Sequence, residues 1–166
     1  MIRRLRSEAG SVAVEFALIA PIFLALLIAI IETALVFFSQ QVLQTAVNQS
    51  ARQIMTGQAQ TQQLTAAQFA KAVCGNLTAM FNCTNLYVNV QKFASFSTVS
   101  MLNPPQNGSL NNSSMNYSPG VGGDIEVVQL FYLWPTLIAP LGFNLGKMNG
   151  EYLLVATAAF RNEPFQ

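Results

Sequence analysis

From Phe16 to Ile31 the chain runs through sixteen apolar residues without a break, and beyond Glu32 the stretch Thr33–Phe38 adds six more. A bilayer core about 30 Å thick needs roughly 20 helical residues, so Phe16–Phe38 predicts a transmembrane helix. Pro21 falls in its first turns, where a membrane helix tolerates a local kink. A cleaved secretory signal would show a shorter apolar core followed by an A-x-A-like site, and no such triplet occurs between Val12 and Phe38. The pattern continues past the span: Val42, Leu43, Ala46, Val47, Ala51 and Ile54 recur at helical spacing among Gln, Asn and Ser. Gly57 is the expected stop. A helix from Val12 to Met55 would be about 66 Å long at 1.5 Å per residue.

Three further segments carry readable patterns. After a polar linker, Gln58–Gln63, the pair Thr65 and Gln68 forms a T-x-x-Q capping box that predicts a second helix, with Phe69, Val73, Leu77 and Phe81 on one face. Leu86, Val88 and Val90 alternate with Tyr87, Asn89 and Gln91, as in a half-buried strand. Asp124–Trp134 predicts a second strand with Ile125, Val127, Gln129, Phe131 and Leu133 inward. Tyr152–Arg161 predicts a third, with Tyr152, Leu154, Ala156, Ala158 and Phe160 inward. Between the first two strands lies a loop, Asn103–Gly123, in which sixteen of twenty-one residues are Pro, Gly, Asn or Ser. A long loop of this kind is often functional. Leu137–Phe143 is an apolar connector expected to be buried or used as a contact patch.

These elements define an α+β fold: a long N-terminal transmembrane helix projecting into a small domain with an antiparallel sheet. The expected divisions are a leader at 1–10, a transmembrane helix at 11–38, its extramembrane continuation at 39–57 and an α+β domain at 58–166. Arg3, Arg4 and Arg6 precede the span, and the next basic residue is Arg52. The positive-inside rule places the N-terminus in the cytoplasm and the larger domain outside.

Composition narrows the chemistry. The chain is 52% hydrophobic and 9% charged, with a net charge of +1 and no histidine. A field that steers nucleic acid is therefore not expected, nor is His-based acid–base or nucleophilic catalysis. Cys74 and Cys83 have only thiols to offer, so neither a metal site nor another cofactor is expected. In an oxidising compartment outside the cytoplasmic membrane they are expected to form a disulfide, the other reading being two buried thiols. Asn-x-Ser/Thr triplets follow from composition, Gly120–Gly123 reads as a turn, and Asp124 with Glu126 has no third ligand nearby.

The most specific pattern lies at the membrane edge. A basic leader ends at Gly10, an apolar segment begins at Ser11, and its only early charge is Glu15, followed by Phe16. A carboxylate costs roughly 2.5–3.5 kcal/mol at the centre of a membrane helix, less near an interface. Glu15 is thus an interfacial group or a partner for a positive charge. Glu32, further along, is expected to reach the outer headgroups.

This pattern resembles a prepilin processing site as used by the tight-adherence (Tad, type IVc) pilus system. The stretch GSVAVEFALIAPIFLALLIAIIETALVFFSQQVLQTAVNQSARQ resembles the start of the TadE-like minor pilin (pseudopilin) family, and the ending AAFRNEPF is similar to its C-terminus. The resemblance implies cleavage between Gly10 and Ser11 by a prepilin peptidase and a subunit-pairing carboxylate at Glu15, matched to the new Ser11 ammonium. Phe16 stands where many Tad major pilins have Tyr. It also implies a non-enzymatic minor pilin acting through helix and domain packing in pilus assembly. The implied partners are the peptidase, other minor pilins, the major pilin, the inner-membrane assembly platform and membrane lipid. The location it implies is a single pass of the bacterial inner membrane with a periplasmic C-terminal domain, and association with the pilus. Fibre, fibre tip and membrane are all compatible destinations. The alternatives are a membrane-tethered adhesin or binding module that uses the Asn103–Gly123 loop, and an envelope enzyme.

Overall fold

The computed structural model describes residues 8–77, 80–101, 110, 115–136 and 151–165, with side chains from Val12 onward. Helix α1 runs Glu8–Met55, α2 Gln58–Thr61 and α3 Ala66–Gly75; the strands are β1 Leu86–Phe93, β2 Ile125–Pro135 and β3 Glu151–Arg161. A long apolar helix followed by a three-stranded antiparallel sheet in the order β1-β2-β3 makes the fold α+β. The chain divides into two units, Met1–Leu35 and Val36–Gln166.

The first unit is the apolar part of α1. The helix passes through Pro21. Phe16, Ile22 and Leu18 are 72%, 74% and 69% exposed, so this surface finds no protein to cover it. The helix from Val12 is long and apolar enough to cross a membrane, with a mean hydropathy of 2.8 in its most apolar 18-residue window. Water-exposed aliphatic surface on that scale is unfavourable by about 25 cal/mol per Å², and lipid removes the cost.

In the second unit, the rest of α1 turns amphipathic. Leu43, Ala46, Val47 and Ile54 are fully buried, as their spacing predicts. Gly57 ends the run at φ +76°, in the left-handed region that glycine adopts without a Cβ penalty. The expected linker after it holds one further helical turn, α2, which buries Ala59. The Thr65 capping box forms as read: the Thr65 hydroxyl accepts from the Gln68 amide, and Gln68 Oε1 accepts from the Thr65 amide at 2.9 Å. Such a cap stabilises a helix end by about 1 kcal/mol.

Helix α3 is shorter than its periodicity suggests. It stops at Gly75, so Phe81 lies outside it. The ring is nevertheless buried, edge-on to Tyr132 at 4.7 Å and to Trp134 at 5.6 Å between centroids. Cys83 follows in a 3-10 turn, Cys83–Asn85.

Strand β2 departs from simple alternation. Val127 and Phe131 are buried, and so are Val128, Leu130 and Tyr132 on the opposite face. The strand is central, paired to β1 and to β3, and both its faces are covered. Phe81 meets the face carrying Tyr132 and Trp134. Leu110 packs with Phe131 on the other, joined by Tyr87, Met115, Leu133, Leu153 and Val155. Two residues of the polar loop thus form part of the core. On β3 burial is confined to Leu154 and Ala156 rather than all five alternating positions. The apolar connector Leu137–Phe143, the leader up to Ser7 and most of Asn103–Ser114 lie outside the described residues.

Candidate functional site

Gly10, Ser11 and Glu15 follow one another along the first turns of α1. Glu15 is on the exposed surface of that helix. Residues four apart on a helix are neighbours on one face, about 6 Å apart by rise, so a charge at Ser11 and one at Glu15 share a side.

Cys74, in the last turn of α3, is joined to Cys83 in a disulfide with a Cα–Cα distance of 5.8 Å. The bridge ties the last turn of α3 to the turn Cys83–Asn85, two residues past Phe81. Tyr132 adds a second tie, accepting at its hydroxyl from the Asn82 amide at 2.9 Å. A shallow hollow of about 470 Å³ beside the bridge is lined by Ala67, Ala70, Lys71, Cys74, Gly75 and Cys83, with Lys71 its single charge. Among the described residues, no group of three His, Cys, Asp or Glu side chains could hold a metal ion.

The C-terminal segment that sequence comparison singled out, AAFRNEPF, forms a clamp. Ala158–Arg161 completes β3, and the chain then turns onto the end of α1. The Glu163 amide donates to the Met55 carbonyl at 2.9 Å. Phe165 lies over Gly57, where a Cβ would come within 2.5 Å of its ring. The Asn162 side-chain amide donates to the Val121 carbonyl at 3.1 Å and to Glu126 Oε1 at 2.8 Å. Arg161 Nε donates to the Gly123 carbonyl at 2.9 Å.

Glu126 was expected on the solvent side of its strand and is 0% exposed. Its Oε1 also accepts from the Gly120 amide. The Gly120 carbonyl in turn accepts from Gln60 of α2 at 3.0 Å. Burial pushes the Glu126 carboxyl above the usual range and the Asp124 carboxylate adds to this, while Asn162, the Gly120 amide and Lys92 oppose it. Tyr117 is also raised, first by burial and then by the nearby Glu126 charge. Period-two alternation misses Glu126 because the strand is central and the tail folds over it. The available hint was Asn162 within the quoted C-terminal ending.

With this geometry in place, comparison with known proteins agrees with the resemblance read from the sequence. Residues 10–52 match the family described as TadE-like protein, which covers the whole apolar run and the start of the amphipathic continuation. No curated protein and no solved structure matches the chain. The chain therefore carries, at residues 10–52, a region similar to the TadE-like family.

Proposed function

We propose that this chain is a membrane-anchored minor pilin that takes part in assembling a Tad-type pilus through helix and domain packing, without catalysis. The observation that carries the reading is the coincidence of the TadE-like match at residues 10–52 with a helix whose apolar surface is left bare. In this reading the leader 1–10 is removed between Gly10 and Ser11 by a prepilin peptidase. Residues 11–38 cross the inner membrane from the cytoplasm, 39–57 continue the helix, and 58–166 form the periplasmic domain. Glu15 pairs with the Ser11 ammonium of its own or a neighbouring subunit, which lowers the cost of holding a carboxylate at the membrane edge. The partners are the peptidase, other minor pilins, the major pilin, the inner-membrane platform and lipid. The tethered binding module rests on the Asn103–Gly123 loop, whose residues Leu110 and Met115 are spent on the core.

The test is the intact mass of the protein from membranes of cells that carry the peptidase. The expected species begins at Ser11, and Gly10→Val restores the full-length mass, since glycine allows a protease close approach to the backbone. An unshortened wild-type chain in those cells would reject processing.

A further inference from the structure

We propose that Glu126 is a buried carboxylic acid that latches the C-terminal clamp in its neutral form and releases it on ionisation. The proposal goes beyond the pilus reading and stands without it.

Both donors that reach the Glu126 carboxyl, the Gly120 amide and the Asn162 side chain, go to Oε1. Glu126 Oε2, Asn162 Oδ1, Gln60 Oε1 and the Tyr117 hydroxyl oxygen are all buried with no hydrogen-bond partner among the described residues. Three of these four can only accept while Glu126 is ionised. A proton on Glu126 Oε2 removes the charge from a fully buried oxygen to which no N–H or O–H donates among the described residues. Its loss places a full charge there, in a site with no water contact at the residue. The upward displacement of the Glu126 titration by burial fits this arrangement.

The charged and titratable groups around Glu126 come from every side of it. Lys92 stands opposite on β1, and Asp124 precedes it on the turn into β2. Tyr117 lies alongside, in the segment bridged to Val90. On β3 its cross-strand neighbour is the uncharged Phe160, with Arg161 next, held by Gly123. Only Lys92 favours the ionised form among the groups that act on it by charge, and it ranks last among the influences on Glu126.

The tail depends on this carboxyl through one residue. Asn162 exchanges backbone bonds with the 121–124 turn, its N–H reaching the Asp124 carbonyl at 2.8 Å and its carbonyl accepting from Gly123 at 3.2 Å. The next residue, Glu163, holds Met55. Ionisation leaves a charge in a site closed to water, and opening the tail at Asn162 and Glu163 is the route by which water reaches it.

The sign follows from linkage. A carboxyl whose folded-state value is raised stabilises the fold fully below the unfolded value, and that contribution is lost as pH rises through the folded value. The full-length chain in detergent micelles, with its six glutamates labelled at the side-chain carboxyl carbon, is titrated by NMR, and the amide exchange of Glu163 is followed over the same range. The expected result is one carboxyl titrating above the usual range that is missing from Glu126→Gln. Protection of the Glu163 amide, corrected for the intrinsic pH dependence of exchange, should fall by up to about tenfold per pH unit between the ordinary glutamate value and that titration, and level off above it. Constant corrected protection in the wild type would overturn the latch even if the variant failed to fold. So would a Glu126 resonance in the ordinary carboxylate range. A calcium-induced rise in Tm that Glu126→Gln removes would assign the oxygens to a cation and overturn it as well.

Discussion

Gln40 on α1 donates its side-chain amide to the carbonyl of Val155 on β3 at 2.8 Å, and one helical turn later Gln44 does the same to Thr157 at 3.3 Å. The match is geometric. Four helical residues rise about 6 Å and two strand residues about 6.7 Å, so i, i+4 on the helix meets i, i+2 on the strand. Because β3 is an edge strand, its outward carbonyls would otherwise offer a template for another chain. The two glutamines satisfy that edge from within the same unit.

Gln40→Ala combined with Gln44→Ala removes both bonds. At about 0.5–1.5 kcal/mol each, the double variant should lose about 1–3 kcal/mol and gain a tendency to self-associate. Denaturant unfolding and light scattering in detergent would check this. A wild-type midpoint would mean that the bonds contribute nothing.

Gly57→Ala should destabilise the second unit by more than about 1 kcal/mol, since it meets a positive φ and the Phe165 ring together. Phe165→Ala in the same chain should recover the steric part and leave the backbone part. A double-mutant cycle on thermal unfolding reads the coupling. No coupling would place Phe165 elsewhere than over Gly57.

The Cys74–Cys83 bridge closes a short loop, and its removal should cost about 2–3 kcal/mol. Chain freshly extracted from the envelope should take up no alkylating reagent until reductant is added. Full labelling of both thiols without reductant would mean that they are reduced in the cell.

How much was legible in the sequence depended on how local the cause was. The apolar run, the Thr65 box and the period-two strands state their own structure, and α1, α3, β1, β2 and β3 appear where those patterns lie. Phe81 was placed on a helix because it continues the spacing of Phe69 and Val73. The chain instead breaks at Gly75, and the ring reaches the same core by another path. Asn89, read as an outward polar position, is 1% exposed. Its amide donates to Gln129 at 3.1 Å, and its Oδ1 accepts from Gln91 and from the Asn116 amide. Such a residue is hidden from pattern reading because the partners that allow its burial come from other segments. Glu126 is the same case with a charge. Of the proposed processing and pairing site, Gly10, Ser11 and Glu15 were legible as a motif, since their spacing is local.

The exposed Lys71 serves as the control for studies of Glu15.

Participation in pilus assembly is tested most directly by the amount of pilin sheared from the surface of cells that lack this chain and are complemented with variants at matched membrane levels. Loss of sheared pilin without the chain, and its return with wild type and Lys71→Ala but much less with Glu15→Ala, is the result expected of a minor pilin that pairs through Glu15. Normal sheared pilin in cells lacking the chain would contradict the account.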